Sequence, residues 1–133
     1  MGDRAVRAGP VDRPDVVAEV GACFDRYDTA LLAGDVDALG GWFWAAPEAI
    51  RFGIGEELYG AEAIAAYRRS APPVVRAPFR RRTVTTFGTD VATVCAEFDD
   101  DEVVGRQTQT WVRTADGWRI ASAHVSLRPI TAR

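Results

Sequence analysis

The sequence has no surplus of basic residues and no long hydrophobic segment. Its 16 Lys and Arg residues are outnumbered by 19 Asp and Glu residues, which gives a formal net charge of −3 at pH 7. Because nucleic-acid binding requires an excess of positive charge, this balance argues against a nucleic acid as the main partner. No segment approaches the roughly 18 consecutive apolar residues of a membrane span, so no membrane partner is predicted. Residues 1–14 lack the apolar core of a secretory signal peptide, and we therefore expect a cytoplasmic protein.

Residues that bind metals or act as nucleophiles are also scarce. The only histidine is His124, and a lone histidine cannot build a zinc site. Neither Cys23 nor Cys95 has the spacing of a metal or redox motif, so two buried thiols in a reducing compartment are expected. The acidic residues 99–102 lack the glycine and the ligand spacing of a calcium loop. A phosphate-binding glycine loop and a G-x-S-x-G motif are both missing. The sequence therefore predicts no metal site.

The length and composition indicate one folded domain. The chain has 133 residues, of which 47% are hydrophobic and 26% are charged. A chain of this size buries about two-thirds of its unfolded surface, which is enough for one hydrophobic core. We expect residues 15–133 to form the domain and residues 1–14 to lack a fixed structure.

Hydrophobic spacing and helix-ending residues predict three helices in the first half of the chain. The first begins near Pro14 and ends at Gly34, because proline favours a first helical turn and glycine commonly follows a helix end. The second covers residues 36–43 and is capped by Asp35. The third covers residues 61–70. Apolar residues at spacings of three and four mark the buried face of the first helix: Val16, Val20, Phe24, Tyr27 and Leu31.

The second half of the chain alternates between β-favouring segments and polar turns, a spacing typical of an antiparallel meander. Strands are predicted at residues 50–54, 79–87, 91–98, 103–112 and 118–128, with residues 55–59 as a connector. Helices followed by strands indicate an α+β domain. We predict three N-terminal helices packed on a strongly curved antiparallel sheet, with a pocket between the two layers.

Arg51 is the first candidate for a ligand-binding residue. It alternates with Ile50 and Phe52 in a short strand, so its side chain points to the opposite face. The aromatic segment Trp42-Phe43-Trp44, just upstream, is typical of a core or a pocket wall. Arg51 therefore either extends its charged end to water or reaches into a cavity to bind an anion. Tyr27 is either a core tyrosine or a phenol that donates a proton inside the cavity.

The last two strands carry further polar candidates. Gln107 and Gln109 share one face and Thr108 lies on the other, and both faces are polar, so alternation leaves open which of them lines a pocket. His124 has the parity of Trp118, which predicts the inner face unless a β-bulge intervenes. It is either a hydrogen-bonded structural residue or a general acid–base.

Three segments of the sequence resemble those of a known family. They are W-F-W-x-x-P-E-A-I-R-F-G-x-x-E-x-L-Y-G-x-E-A-I-x-x-Y-R, G-R-Q-T-Q-T-W-V-R and D-G-W-R-I-A-S-A-H-V-S. Over residues 16–130 the chain resembles the NTF2-like superfamily, and more closely its AtzH-like branch, which includes the oxalurate-catabolism protein HpxZ. The last segment is shared widely among NTF2-like and SnoaL-like proteins. The R-F-G segment, taken together with the second segment, is much more specific.

The resemblance implies a cone-shaped fold and a cofactor-free enzyme of nitrogen catabolism that acts on small anionic ureides. In this branch the activity is the decarboxylating hydrolysis of 1,3-dicarboxyurea. Its catalytic pair, a tyrosine on the first helix and the arginine of the R-F-G segment, corresponds to Tyr27 and Arg51. The branch usually has Y-R-x-x-R at the end of the third helix, whereas residues 67–71 read Y-R-R-S-A, so the second arginine is displaced or missing. Lining residues expected for the shared cavity are Trp42, Trp44, Phe52 and His124.

Other functions and an assembly also follow from this kind of fold. A SnoaL-like or ketosteroid-isomerase-like isomerase or cyclase needs a carboxylate base in the pocket, and the candidates are Glu97 and Asp99. A non-catalytic NTF2-like binding or assembly protein would not need a polar pair in the cone. The resemblance also implies a homodimer through the outer face of the sheet. The strands also carry more aromatic residues than one helix layer can cover, for example Phe87, Phe98, Trp111 and Trp118.

Overall fold

The computed structural model describes residues 4–130, and its elements follow the predicted order. The helices are α1 (Pro14–Ala33), α2 (Val36–Trp42) and α3 (Ala61–Ser70). The strands are β1 (Ala5–Val6), β2 (Gly9–Pro10), β3 (Ile50–Phe52), β4 (Glu57–Tyr59), β5 (Phe79–Phe87), β6 (Val91–Asp100), β7 (Val103–Thr114) and β8 (Gly117–Pro129). Three helices packed on one curved sheet confirm the predicted α+β class.

The main sheet has six strands in the order β4-β3-β8-β7-β6-β5. The antiparallel meander predicted for the last four strands is confirmed by their pairing. β3 differs, because it lies beside β8 in parallel. Residues 55–59, which were expected to form a connector, contain the strand β4. The N–H of Gly53 donates to the carbonyl of Glu56 at 2.8 Å and closes a tight turn between β3 and β4. That turn returns the chain antiparallel to β3.

The predicted helix ends are confirmed by their local geometry. Pro14 begins α1, and Gly34 follows it with a φ of 70°, in the left-handed region that glycine adopts without strain. The carboxylate of Asp35 accepts a hydrogen bond from the N–H of Ala38 at 3.2 Å and caps α2. Among residues 4–130, no helix combines the length and the hydrophobicity needed to cross a membrane.

The core lies between the helices and the inner face of the sheet. Val20 and Phe24 of α1 are almost fully buried on the helix side of this core, and Trp111 and Ile120 are fully buried on the sheet side. Phe98, Trp111 and Trp118 are all buried within the single chain. These three aromatic residues therefore do not require a second copy for their burial, and the homodimer stays a prediction.

The N-terminal segment differs from the expectation that residues 1–14 lack structure. Within residues 4–13, β1 and β2 form a small antiparallel hairpin. The hairpin is fixed to the end of β5, because the N–H of Gly88 donates to Pro10 and that of Thr86 donates to the Asp12 carboxylate, each at 2.9 Å. These contacts join segments far apart in sequence, so composition could not indicate them. Residues 1–3 lie outside the described range.

Candidate active site

A cavity of about 260 Å³ lies between the helices and the inner face of the sheet. Small-molecule sites typically occupy about 300–1,000 Å³, so this cavity suits a small ligand. Its lining is mixed, with apolar side chains around several polar groups. The charged residues of the lining are three arginines and two acids: Arg51, Arg68, Arg76, Glu56 and Asp100.

Tyr27 lines this cavity from α1. It belongs to the buried face of the helix and is only 3% exposed. Its ring packs edge to face against Phe43, with the two centroids 6.2 Å apart, which fixes its orientation. The Tyr27 hydroxyl forms no hydrogen bond with another residue in the described range. Its proton is therefore free for a ligand.

Arg51 lines the same cavity from β3. Strand register places it beside Leu58 and Ala123, on the face opposite to Ile50 and Phe52. Its side chain is 11% exposed, and Nη1 donates to Oε2 of Glu56 at 2.5 Å. This bond uses one of the three guanidinium nitrogens, so the Nη2 and Nε edge stays available to an anion.

Gly53 and Glu56 explain part of the R-F-G segment. A Cβ atom added at Gly53 would lie 1.7 Å from Oε2 of Glu56, so only glycine leaves room for this carboxylate beside Arg51. Burial raises the pKa of Glu56, but the hydrogen bond and the charge of Arg51, together with hydrogen bonds from the Gly55 N–H and Tyr67, outweigh burial and hold the pKa below its ordinary value of 4.5. Glu56 is therefore ionised at neutral pH and holds Arg51 in place.

Gln107 and Gln109 of β7 line the cavity. Strand alternation alone did not show which face of β7 points into the cavity, and the structure shows that it is the face of the two glutamines. Gln109 is 3% exposed, and its side-chain oxygen accepts a hydrogen bond from Nε1 of Trp111 at 2.9 Å. The indole N–H can only donate, so the amide nitrogen of Gln109 is directed elsewhere. Gln107 and Gln109 thus give the cavity a polar wall on the sheet side.

Phe52 and His124 also line the cavity. Strand register places both of them on the face of the sheet opposite to Ala123 and Gln109. Between Thr110 and Trp111 the register of β7 and β8 shifts by one residue, so Ala121 has no partner. This bulge reverses the alternation of the residues that follow it, so His124 points away from the inner face. The prediction that His124 lies on the inner face held only for a strand without a bulge. The rings of Phe52 and His124 meet edge to face, with centroids 5.7 Å apart.

Trp42 and Trp44 are not among the lining residues of this cavity. The ring of Trp42 packs against Trp111, with centroids 5.9 Å apart, and the backbone of Trp44 bonds to Ile120. The predicted aromatic segment therefore does not form a wall of this cavity: Phe43 belongs to the core and Trp42 packs against it. Its middle residue, Phe43, contributes to the site indirectly by packing on Tyr27.

Comparison with known proteins assigns the family. The model of the AtzH-like family matches residues 9–130. The chain belongs to the AtzH-like family. None of the curated proteins matches it.

Solved structures of similar proteins support the fold. A cystatin-like fold protein from Burkholderia xenovorans LB400 is 48% identical, with a TM-score of 0.87 over 91% of this chain and 98% of that chain. A protein of unknown function from the DUF3225 family of Pectobacterium atrosepticum SCRI1043 is 44% identical, with a TM-score of 0.85 over 89% of this chain and 94% of that chain. An NTF2-like protein from Pseudomonas putida KT2440, at 17% identity and a TM-score of 0.70 over 86% and 87% of the two chains, shares the NTF2-like fold.

The carboxylates considered for an isomerase do not line the cavity of this AtzH-like protein. Glu97 and Asp99 instead bind Arg80 at 2.6 Å and 3.0 Å. The two acids that do line the cavity are Glu56, which is paired with Arg51, and the exposed Asp100. Within residues 4–130, no three His, Cys, Asp or Glu residues are grouped to hold a metal ion.

Two arginines of the AtzH-like cavity were not identified from the sequence. Arg76 precedes β5, forms an ion pair with Asp28 of α1, and lies over the ring of Phe79 at 3.8 Å. Arg68 lies in the last turn of α3 and is 9% exposed. A signal for Arg68 exists in the sequence, because it follows the buried Ile64 by four residues on the same helix face.

Proposed function

We propose that this AtzH-like protein is a cofactor-free decarboxylase, or decarboxylating amidohydrolase, of a small carboxylated ureide. The substrate class is that of 1,3-dicarboxyurea, and the setting is nitrogen catabolism of the oxalurate type in the cytoplasm. The observation that carries the proposal is that Tyr27, with an unbonded hydroxyl, and Arg51 line one small cavity together with two further arginines, Arg68 and Arg76. The size and the positive bias of this cavity fit a small anion better than a large apolar substrate.

Arg51 is suited to hold the carboxylate that leaves. Its planar guanidinium binds a carboxylate through two parallel charge-assisted hydrogen bonds, whereas a lysine supplies charge without this geometry. Glu56 takes only Nη1, so the Nη2 and Nε edge can face the substrate. The stacking of Arg51 on Tyr67, with Cζ 5.4 Å from the ring centroid, further restricts its orientation.

Tyr27 is suited to donate the proton that the reaction consumes. In the substrate a carboxylate is bonded to a urea nitrogen. Tyr27 gives its proton to this nitrogen, the bond between nitrogen and the carboxylate carbon breaks, and its electron pair stays on nitrogen. Carbon dioxide leaves, the product is a urea with one carboxylate fewer, and the tyrosinate regains a proton from water. The balance is one substrate and one proton to one product and one carbon dioxide, and hydration of carbon dioxide completes the net hydrolysis.

The roles are tested by comparing carbon dioxide release from 1,3-dicarboxyurea by wild type, Tyr27→Phe and Arg51→Lys. Proton transfer from a placed side chain is worth about 10²–10⁴ in rate, so Tyr27→Phe lowers kcat by that factor and leaves KM nearly unchanged. Arg51→Lys lowers kcat and raises KM, because the geometry of carboxylate binding is lost. Tyr59→Phe is the matched control, since Tyr59 is 64% exposed and does not line the cavity. Full activity in Tyr27→Phe would refute its role and would leave His124 or water as the proton donor.

The other classes of function have less support. A ketosteroid-isomerase-like or SnoaL-like reaction needs a carboxylate base inside the cavity. Glu97 and Asp99 are bound to Arg80, and of the two acids that line the cavity Glu56 is paired with Arg51 and Asp100 is exposed to water. A purely non-catalytic binding protein would not need an unbonded phenol and an oriented guanidinium in the same cavity. A homodimer through the outer sheet face is part of the proposal, and it rests on the family resemblance.

A further inference from the structure

Arg68 is the one arginine of the cavity lining without a carboxylate partner within residues 4–130. Arg51 is paired with Glu56, and Arg76 is paired with Asp28. Arg68 forms no such pair, although it is 9% exposed, and its Nε has no hydrogen-bond acceptor. The unpaired positive charge of this lining is therefore located at Arg68, since Asp100, the other acid of the lining, is exposed and forms no ion pair with it.

Burial without a partner is costly for a charged group, so the position of Arg68 needs an explanation. An ionised side chain removed from water destabilises a protein unless an opposite charge or hydrogen bonds compensate it. The C-terminal end of α3 favours a cation, but it leaves the donors of the guanidinium unused. An anion bound in the cavity would supply both the charge and the acceptors.

Arg68 and Arg51 lie beside the same aromatic ring. Their Cζ atoms are 5.7 Å and 5.4 Å from the centroid of Tyr67. Both side chains also line the cavity, so two guanidinium groups border one small volume. This arrangement matches a ligand with a carboxylate at each end.

We propose that Arg68 binds a second carboxylate of the substrate, while Arg51 holds the carboxylate that is lost beside Tyr27. The assignment of the reacting end rests on the proposed function, but binding at Arg68 does not. A ligand with one carboxylate occupies Arg68, where the charge is uncompensated, and leaves the side of Tyr27 empty. The protein therefore acts on dicarboxylates and does not decarboxylate the monocarboxylated product further.

Calorimetric titration with glutarate and butyrate tests this subsite without any reaction. Glutarate has three atoms between its carboxylate carbons, as 1,3-dicarboxyurea has, and it contains no bond from nitrogen to a carboxylate. Charge-assisted hydrogen bonds of this kind correspond to about tenfold to hundredfold in affinity. We expect wild type to bind glutarate at least tenfold more tightly than butyrate, and Arg68→Gln to lose at least tenfold in glutarate affinity. Arg69→Gln, an exposed neighbour with the same change of charge, keeps the wild-type affinity.

The outcomes separate this subsite from the proposed reaction. If Arg68→Gln binds glutarate as Arg69→Gln does, or if wild type does not bind glutarate, the inference is overturned whether or not carbon dioxide is released. If glutarate binding depends on Arg68 but no carbon dioxide is released from 1,3-dicarboxyurea, the subsite stands and the proposed reaction fails.

Thermal unfolding distinguishes a ligand-binding Arg68 from a structural one. Arg68→Met keeps the length of the side chain and removes the unpaired charge, so we expect its Tm without anions to equal or exceed that of wild type. Glutarate raises the Tm of wild type but not that of Arg68→Met. A Tm of Arg68→Met well below that of wild type, or an equal response of both proteins to glutarate, would contradict the inference.

Discussion

Replacing Glu56 by glutamine tests the contact that holds Arg51 in the cavity. The two side chains are joined by a hydrogen bond of 2.5 Å between Nη1 and Oε2, and they are 11% and 21% exposed. Glu56→Gln keeps the shape of the side chain and removes its charge. Because the pair is largely shielded from water, a charge-assisted bond of this kind contributes about 1–2 kcal/mol to the free energy of unfolding.

The direction of the pH dependence follows from the pKa of Glu56. Burial raises this pKa, but the hydrogen bonds and the charge around the carboxylate, chiefly those of Arg51, lower it more, so the folded-state pKa lies below the ordinary value of 4.5. The unfolded chain therefore takes up a proton at this carboxylate before the folded protein does. The stability that Glu56 contributes is fully present above about pH 4.5 and is lost as the pH falls through the folded-state pKa.

Urea unfolding of wild type and Glu56→Gln, at neutral pH and at about pH 3.5, measures this contribution. We expect wild type to be more stable by about 1–2 kcal/mol at neutral pH, and the difference to shrink in acid. Glu57→Gln is the matched control, since Glu57 is the exposed neighbour and should show neither effect. Equal stability of wild type and Glu56→Gln at neutral pH, or a difference that does not change with pH, would refute the reasoning.

Three further substitutions test the cavity, the N-terminal hairpin and the assembly. A Cβ atom at Gly105 would lie 2.1 Å from the ring of Phe98, so Gly105→Ala displaces this lining residue. We expect weaker glutarate binding by calorimetry and a free energy of unfolding, measured in urea, that is lower by about 1–3 kcal/mol. Gly88 has a φ of 66°, and a Cβ atom there would lie 2.2 Å from the carbonyl oxygen of Ala8, so Gly88→Ala detaches the hairpin and speeds amide exchange in residues 4–13. Thr108→Arg places a charge on the outer sheet face, and light scattering should show a fall from twice 14.5 kDa to 14.5 kDa. Wild type that already has the monomer mass would contradict the predicted dimer.

Local patterns in the sequence predicted the fold and the positions of Tyr27 and Arg51, and the expected lining residues Phe52 and His124 also border the cavity. Helix periodicity placed Tyr27 on the buried face of α1, and Pro14 and Gly34 defined the ends of that helix. Strand alternation turned Arg51 away from Ile50 and Phe52. These features depend on neighbours within a few residues, so the sequence expresses them directly.

Long-range contacts account for the parts that could not be predicted. The side on which His124 lies depends on one unpaired residue in β8, and no local signal marks this bulge. The hairpin at residues 4–13 is fixed by bonds to Thr86 and Gly88, which are distant in sequence. Arg68 was missed because charged residues are expected at the surface, although its spacing from Ile64 was visible.

The central claim is that the protein removes one carboxylate from a carboxylated urea without a cofactor. The most direct measurement is the rate of carbon dioxide release from isotopically labelled 1,3-dicarboxyurea by wild type in the presence of a metal chelator, compared with buffer alone. We predict an acceleration of at least about 100-fold, with one carbon dioxide released per substrate and a monocarboxylated urea as the product. A rate equal to that in buffer, or activity that disappears with the chelator, would contradict the account.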